Sequence, residues 1–461
     1  MSQMFPPTVL LVNPYLYDFA AYDLWIKPLG LLYVGAVLAE NGCDLVLLDC
    51  MDRWHPDVLQ LQKLSRPKSK PGGDGDFYRE AIAKPSLLAD IPRNYYRFGL
   101  PPALVAKNFE TISRERKIDL ILVTSGMSYW YRGVHELIDL CHQYFPKIPV
   151  WLGGIYATLY PQHARSLSGA DLVFTGESEI KALRLAQELL PLKPRQEYNG
   201  YDDYPLPAYH LYPQLEYAAM MTSRGCPFCC PFCATRQFTP TFHSRTPAKV
   251  VAEIEHYSVV RGIRNIAFYD DALFVNAEHH IKPILRQVVA RKLPTAFHTP
   301  NGLFAKLVDA ELAELMVQSG FTTVRLSYES KDVLLQQRMG KVNDADLAHA
   351  LQNLERAGFP RYNVMVYLMM GLPNQTPEAV AASIEYVASL GARVSLSSYS
   401  PIPGTPDWEL AVTQFGLPAD EPLLTNKTIY PLRNDQFQRQ DFDRLKLLAL
   451  QHGRRLKLQS L

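Results

Sequence analysis

Residues 218–233 read AAMMTSRGCPFCCPFC. The apolar run AAMMTS predicts a strand, and the turn that follows it carries Cys226, Cys229, Cys230 and Cys233, so all four thiols fall in one loop. Gly225 gives the chain freedom to turn there, while Pro227 and Pro231 fix the local backbone. The spacing C-x3-C-x2-C over Cys226, Cys230 and Cys233 lets three thiolates meet three irons of one cube and leaves the fourth iron free. A zinc knuckle and an inert packed cluster are the alternatives. Structural zinc draws on two ligand pairs well separated in sequence, and no second pair of that kind follows this loop.

Working outward, five more strand-like runs follow the cysteines: NIAFY (265–269), TAFHT (295–299), TVRLS (323–327), NVMVYLM (363–369) and RVSLSS (393–398). Helical patterns lie between them, and six such units predict a partial (β/α) barrel with its chemistry at the C-terminal rim. Upstream, TVLLV (8–12), DLVLL (44–48), LILVT (120–124), PVWLGG (149–154) and DLVFTG (171–176) alternate with helical patterns, which predicts a doubly wound α/β domain. The stretch LGLLYVGAVLAENG (29–42) reads as an amphipathic helix ended by Gly42. The gap of about 70 residues between the second and third strands is too long for a plain crossover. Within it, SRPKSKPGGDGD (65–76) reads as a surface loop and residues 78–102 as a short helical insertion.

The expected division is a first domain over 1–190 with an insertion near 55–117, an extended Pro- and Tyr-rich linker over 191–213, a barrel over 214–410 and an extension over 411–461 that ends in a closing helix. The composition suits this plan, since 461 residues that are 48% hydrophobic and 20% charged are enough for two or three packed cores. Lys and Arg number 47 against 46 Asp and Glu, so no global field favours nucleic acid or an anionic membrane. The N-terminus has no basic region ahead of a long apolar run, and no segment reaches the roughly 18 apolar residues of a membrane span, so a cytoplasmic location is expected. Cys43, Cys50 and Cys141 lie among apolar residues, where thiols pack as small hydrophobes, and no disulfide framework is expected.

The cysteine loop, including the aromatic Phe232 before its last cysteine, resembles the signature of the radical S-adenosylmethionine (SAM) superfamily. The resemblance implies that Cys226, Cys230 and Cys233 bind a [4Fe-4S] cluster whose fourth iron is chelated by SAM. It also implies reductive cleavage of SAM to a 5′-deoxyadenosyl radical, an external one-electron donor of flavodoxin or ferredoxin type, and a place for Phe232 near the adenine. Cys229 stands outside the spacing and reads as a bystander. In the same family, acids after the second strand bind the SAM amino group, which points to Asp270 and Asp271 in FYDDALF. Asn301 in TPNGL, and Ser327 and Glu329 in LSYES, match ribose or carboxylate contacts. Arg338 and Lys341 in RMGK are candidates for the SAM carboxylate, and GLPNQT (371–376) and SPIPGTP (400–406) match the fifth and sixth strand loops. Each has a structural alternative: an acid beyond a strand often only caps a helix, and Gly/Pro loops are often only turns. His298, inside the third strand, reads as a core histidine.

In the first domain, PLGLLYVGAVLAENG (28–42), LGGIYATLYP (152–161) and FTGESE (174–179) resemble the cobalamin-binding domain that precedes the barrel in B12-dependent radical SAM proteins of the class B methylase type. That likeness implies cobalamin contacts from Trp25, Lys27, Gly30, Thr124, Ser125, Gly153, Gly154, Gly176 and Glu177. The D-x-H-x-x-G motif of other B12 proteins is absent: aligned on Gly30, its Asp and His positions hold Trp25 and Lys27, so that loop offers cobalt no imidazole. The usual G-G-P-H is here Gly153, Gly154, Ile155 and Tyr156.

Together these likenesses imply a cobalamin-dependent C-methyltransferase. A radical SAM cyclase, mutase or oxidase stays open as an alternative, as does a non-catalytic corrinoid and iron–sulfur carrier, for which the SAM motifs would serve no purpose. A tRNA methylthiotransferase is disfavoured, because that family's extra N-terminal cysteines and C-terminal RNA-binding barrel are missing. The substrate and the oligomeric state cannot be read from the sequence; the insertion near 77–101 and the final 50 residues are the expected selectivity elements.

Overall fold

The computed structural model describes residues 6–192 and 196–459 and is α/β throughout. The chain divides into two compact units, Met1–Leu215 with Asp420–Thr425, and Glu216–Ala419 with Asn426–Leu461.

The strands of the first unit are β1 (Thr8–Asn13), β2 (Leu16–Asp18), β3 (Asp44–Asp49), β4 (Arg79–Ile82), β5 (Tyr95–Phe98), β6 (Leu120–Val123), β7 (Val150–Leu152) and β8 (Leu172–Val173). Five of them form a parallel sheet in the order β3-β1-β6-β7-β8. The central strands β1 and β6 are buried on both faces, which is why they read as unbroken apolar runs. The helix Leu29–Glu40 crosses from β1 to β3, and Gly42 beyond it adopts φ 101°. The strand order reverses between β1 and β6, so the crevice for a ligand opens at their carboxyl ends.

The insertion corrects one expectation. Residues 78–102 are not a helical insertion: β4 and β5 pair antiparallel with each other, and β5 with β2, in a three-stranded sheet. Pro85 and Pro92 interrupt any helix there, and Tyr95 and Phe98 are buried, Tyr95 packing edge-on against Phe19 at 5.0 Å. The loop 65–76 is tied down as well, because the buried Arg53 pairs with Asp23 and donates to the carbonyls of Lys68 and Gly73.

The Pro- and Tyr-rich stretch does not hang free either. The Tyr212 hydroxyl donates to Asp49 at 2.5 Å, and the hydroxyls of Tyr201 and Tyr33 are bonded at 3.0 Å, so from 196 onward it packs onto the first unit. Residues 420–425 do the same from the far end of the chain, with Tyr131 bonded to Glu421 and Ser128 to Thr425. Beside them the Tyr156 hydroxyl bonds both His135 (2.9 Å) and His163 (2.6 Å). Burial, with His163 adding to it, holds His135 down to about pH 4. A histidine depressed in the folded state takes up its proton more readily when unfolded. The network's full contribution is therefore present above about pH 6.5 and is lost as pH falls toward 4. The denaturation midpoint is expected to drop over that window in wild type and to drop less in His135→Phe.

The second unit is built from β9 (Tyr217–Met220), β10 (Ser223–Arg224), β11 (His243–Ser244), β12 (Asn265–Phe268), β13 (Ala296–His298), β14 (Leu303–Phe304), β15 (Phe321–Glu329), β16 (Val364–Met370) and β17 (Arg393–Ser398). The six expected barrel strands all form and pair in parallel in the order β17-β16-β15-β13-β12-β9, with β14 beside β15. Among the described residues β9 and β17 are the two ends of that order, as in a partial barrel. The closing helix runs Arg439–Gln459. Among the described residues no helix is long and apolar enough to cross a membrane.

Candidate functional site

The cysteine loop leaves β9 at its carboxyl end. Cys226 and Cys230 are half-buried, Cys229 and Cys233 are exposed, and all four are free thiols. A turn closed by the Cys233 amide on the Cys230 carbonyl (3.1 Å) sets the last two ligand positions. Burial pushes the Cys226 thiol up and that of Cys230 up to about 11, while the Lys341 ammonium pulls both back. Iron must therefore displace protons here, as thiolate ligation generally requires. Three thiols of one loop, two of them sheltered beside a cation, fit a cluster that needs three anionic sulfurs. The Cys229 sulfur instead accepts from Arg236 at 2.9 Å.

Around the loop, the structure separates the candidate residues. Asp270 is buried and accepts from the amides and hydroxyls of both Thr222 and Ser223 at 2.6–3.1 Å, so it fastens the start of the cysteine loop to the end of β12. Asp270→Asn gives up the charge that serves these donors and is expected to lower unfolding stability by about 2 kcal/mol, read from the denaturation midpoint. Its neighbour Asp271 is pushed up to about 6, chiefly by burial and then by Asp270, and accepts from Thr235 at 3.4 Å. Asn301 spends its amide nitrogen on the carbonyls of Tyr269 and Asp270.

Ser327 is buried and donates to the Leu303 carbonyl at 3.2 Å. Glu329 ends β15 at φ 72°, and burial raises its carboxyl while Lys341 opposes the rise. The Lys341 Nζ lies 5.6 Å from the centre of the Phe304 ring, which packs at 4.4 Å on Phe228 of the cysteine loop. Arg338 is a correction: it is ion-paired with the buried Asp407, so of the two basic candidates in RMGK it is Lys341 that faces the thiols. Phe232 is half-buried. His298 is a satisfied core residue, bonded to Asn265 (3.1 Å) and Thr323 (3.0 Å). Thr235, whose hydroxyl lies 3.2 Å from the Cys233 sulfur and bonds Asp271, and Asp407, whose partner Arg338 lies far back along the chain, carried no motif in the sequence.

In the first unit, the loops after β6, β7 and β8 converge at the carboxyl edge of the sheet. The Ser125 hydroxyl donates to the Gly153 carbonyl (2.6 Å) and accepts from the Ala157 amide (3.3 Å), which locks the first two loops together. Gly154 has φ 97°, and a Cβ there would lie 2.3 Å from the Ser125 carbonyl oxygen, so only glycine fits. The Gly176 amide donates to Thr158 (3.0 Å), with Glu177 half-buried beside it, and the Thr124 amide continues the ladder to Val12 (3.1 Å). Gly30 and Gly153 have no heavy atom nearer than 3.9 Å to an added Cβ, and Ile26 and Met127 expose apolar side chains on loops of the same edge. An open, side-chain-poor edge with exposed apolar flanks fits a broad ring such as a corrin. Trp25 and Lys27 do not contribute to that edge. The Trp25 indole is buried and donates to the Gly72 carbonyl (2.7 Å), and the Lys27 ammonium lies 3.3 Å from Asp52 and 4.4 Å over the Tyr212 ring.

Comparison with known proteins agrees with this arrangement. The B12 binding domain family matches residues 99–185, and the radical SAM superfamily matches residues 220–387. The chain is 25% identical to an uncharacterized methyltransferase of Pyrococcus horikoshii over 345 residues, which cover 68% of this chain and 74% of that protein. It is 24% identical to the cytidylyl-2-hydroxyethylphosphonate methyltransferase of Streptomyces wedmorensis, covering 86% of this chain and 80% of that one. Among solved structures, the radical SAM methyltransferase TsrM from Kitasatospora setae with cobalamin and a [4Fe-4S] cluster bound superposes with a TM-score of 0.63 at 18% identity, over 89% of this chain and 79% of that chain, which shows a shared fold. The chain thus carries a match to the B12 binding domain ahead of a match to the radical SAM superfamily, the two domains whose signatures its sequence resembles.

Proposed function

We propose that the protein is a cobalamin-dependent radical SAM methyltransferase that acts on an unactivated carbon. The observation that carries this reading is the loop of Cys226, Cys230 and Cys233, set beside Lys341 and Glu329, in a chain that also carries a glycine-edged B12-binding domain. When bound, the cluster supplies the electron that cleaves SAM, and the corrinoid carries the methyl group.

The protein's own residues bind and orient. Cys226, Cys230 and Cys233 would hold the cluster. The Lys341 ammonium and the Glu329 carboxylate offer opposite charges to the carboxylate and amino group of a bound amino acid. Asp271, whose carboxyl sits near pH 6, provides a second acceptor on the same side of the loop. The paired rings of Phe228 and Phe304 pack an apolar contact onto the cysteine loop. Ser125, Gly153, Gly154 and Gly176 would line the corrinoid edge. An external one-electron donor of flavodoxin or ferredoxin type, acting in the cytoplasm, would reduce the cluster.

The test is anaerobic reconstitution with iron, sulfide and cobalamin, followed by incubation with SAM and a reductant. Formation of 5′-deoxyadenosine and S-adenosylhomocysteine, together with a corrinoid absorption band that survives gel filtration, is the expected result. SAM cleavage in a protein that never retains corrinoid would remove the methyltransferase reading and leave the radical SAM chemistry.

A further inference from the structure

The helix Pro406–Phe415 begins where the sixth strand's loop, SPIPGTP, ends. The first amides of any helix lack intrahelical partners. Here Pro406 has no N–H, and the amide of Trp408 is capped by Thr405 (3.2 Å). The amide of Asp407 is different: it reaches out of the helix to the carbonyl of Pro231, at 3.0 Å. Pro231 lies between Cys230 and Cys233. A second tie joins the same two segments, since Gln237 donates to the Pro403 carbonyl at 2.5 Å. The Asp407 side chain is only 1% exposed, and its carboxylate is ion-paired with Arg338, on the helix Val333–Met339 that follows the fourth strand.

We propose that Asp407 is a positioning residue for the cysteine loop. Arg338 fixes its carboxylate, and its amide in turn fixes the Pro231 carbonyl, setting where Cys230 and Cys233 present their sulfurs. This rests on the reading of Cys226, Cys230 and Cys233 as cluster ligands. Arg338 thus belongs to the support of the cluster, while Lys341 is the cation that faces it. The carboxylate is buried and its cationic partner reaches it from an exposed helix position, so the ion pair limits how the start of the helix Pro406–Phe415 can move, and the backbone bond to Pro231 lies at that same start. Groups that orient ligands from behind commonly change metal affinity by about 10- to 100-fold when altered.

The experiment uses the full chain, reconstituted anaerobically, as wild type, Asp407→Asn and the double variant Arg338→Met/Asp407→Leu, which removes both charges of the pair together. Iron per chain, resistance of the iron to a competing chelator, and the electron paramagnetic resonance spectrum of the reduced protein with and without SAM are measured alongside the unfolding midpoint. The expected result is that D407N loses its iron to chelator about 10- to 100-fold more readily and shows an altered reduced spectrum, at a melting midpoint close to wild type. Wild-type protein that takes up no iron would overturn the cluster reading itself. Wild type with a cluster and D407N with the same chelator resistance and spectrum would overturn the positioning role alone. Should D407N not fold, the double variant decides: folded with a wild-type spectrum, it overturns the proposal, and folded with a weakened, altered cluster, it supports it.

Discussion

Replacing Cys226, Cys230 or Cys233 singly by alanine is expected to abolish retention of a four-iron cluster and to lower SAM cleavage at least about a thousandfold, equivalent to about 4 kcal/mol of activation free energy. A cube held by three thiolates has no spare ligand, because the fourth iron must stay free for the substrate that is cleaved. The adjacent Cys229 is the internal control. Its sulfur is exposed and held by the Arg236 guanidinium, so Cys229→Ala is expected to keep its iron and to cleave SAM within about twofold of wild type. All four variants should fold, since none of these thiols is fully buried. Iron content, the visible absorption of the reconstituted protein and the yield of 5′-deoxyadenosine read the outcome together. Iron lost in C229A and kept in C226A would mean that the ligand set is not the one assigned.

Much of this architecture was legible because it depends on local signals. The six barrel strands and the five of the first sheet are short apolar runs separated by helical periods, and parallel strands buried on both faces produce that pattern wherever they occur. The cysteine spacing is equally local. The insertion differs from the helical expectation because residues 79–82 and 95–98 pair across the residues between them, and β5 pairs with Leu16–Asp18, a partner about 80 positions away in the register that sets Leu16 opposite Phe98. Apolar alternation in a four-residue strand is too brief to outweigh helix-compatible composition.

The site residues divide on the same ground. An acid after a strand reads identically whether it faces a ligand or fastens a loop, and only the four donors of Thr222 and Ser223 assign Asp270 to the second role. Arg338 and Lys341 are three residues apart, and nothing in the sequence shows that Asp407, almost 70 positions later, claims the arginine. The same holds for Lys27: its place in the motif suggested a contact with the cofactor, whereas Asp52 and Tyr212 hold its ammonium inside the domain.

At the corrinoid edge, Gly154→Val is expected to lower cobalamin affinity at least about a hundredfold, about 2.7 kcal/mol, while leaving the iron content of the other unit unchanged. The φ of 97° is unfavourable for any residue with a Cβ and alone destabilises by about 1–3 kcal/mol. The new Cβ would also meet the Ser125 carbonyl oxygen at 2.3 Å and its nitrogen at 2.6 Å, both backbone atoms that cannot step aside without moving the loop after β6. That movement breaks the Ser125 to Gly153 bond and opens the joint between the two loops. Loss of cobalamin in G154V could follow from this local rearrangement alone, so Gly30→Trp separates the causes. Gly30 is exposed near the start of its helix and has no heavy atom within 4 Å of an added Cβ, so a side chain can begin there without the backbone clash that Gly154 meets. Equilibrium dialysis with cobalamin and a thermal melt of each apo variant give the reading: G30W should melt like wild type yet bind cobalamin at least about tenfold more weakly, because a tryptophan and a corrin compete for one volume. Full cobalamin binding by G30W would move the corrinoid away from the amino end of Leu29–Glu40, and full binding by G154V would remove the β6 and β7 loops from the site.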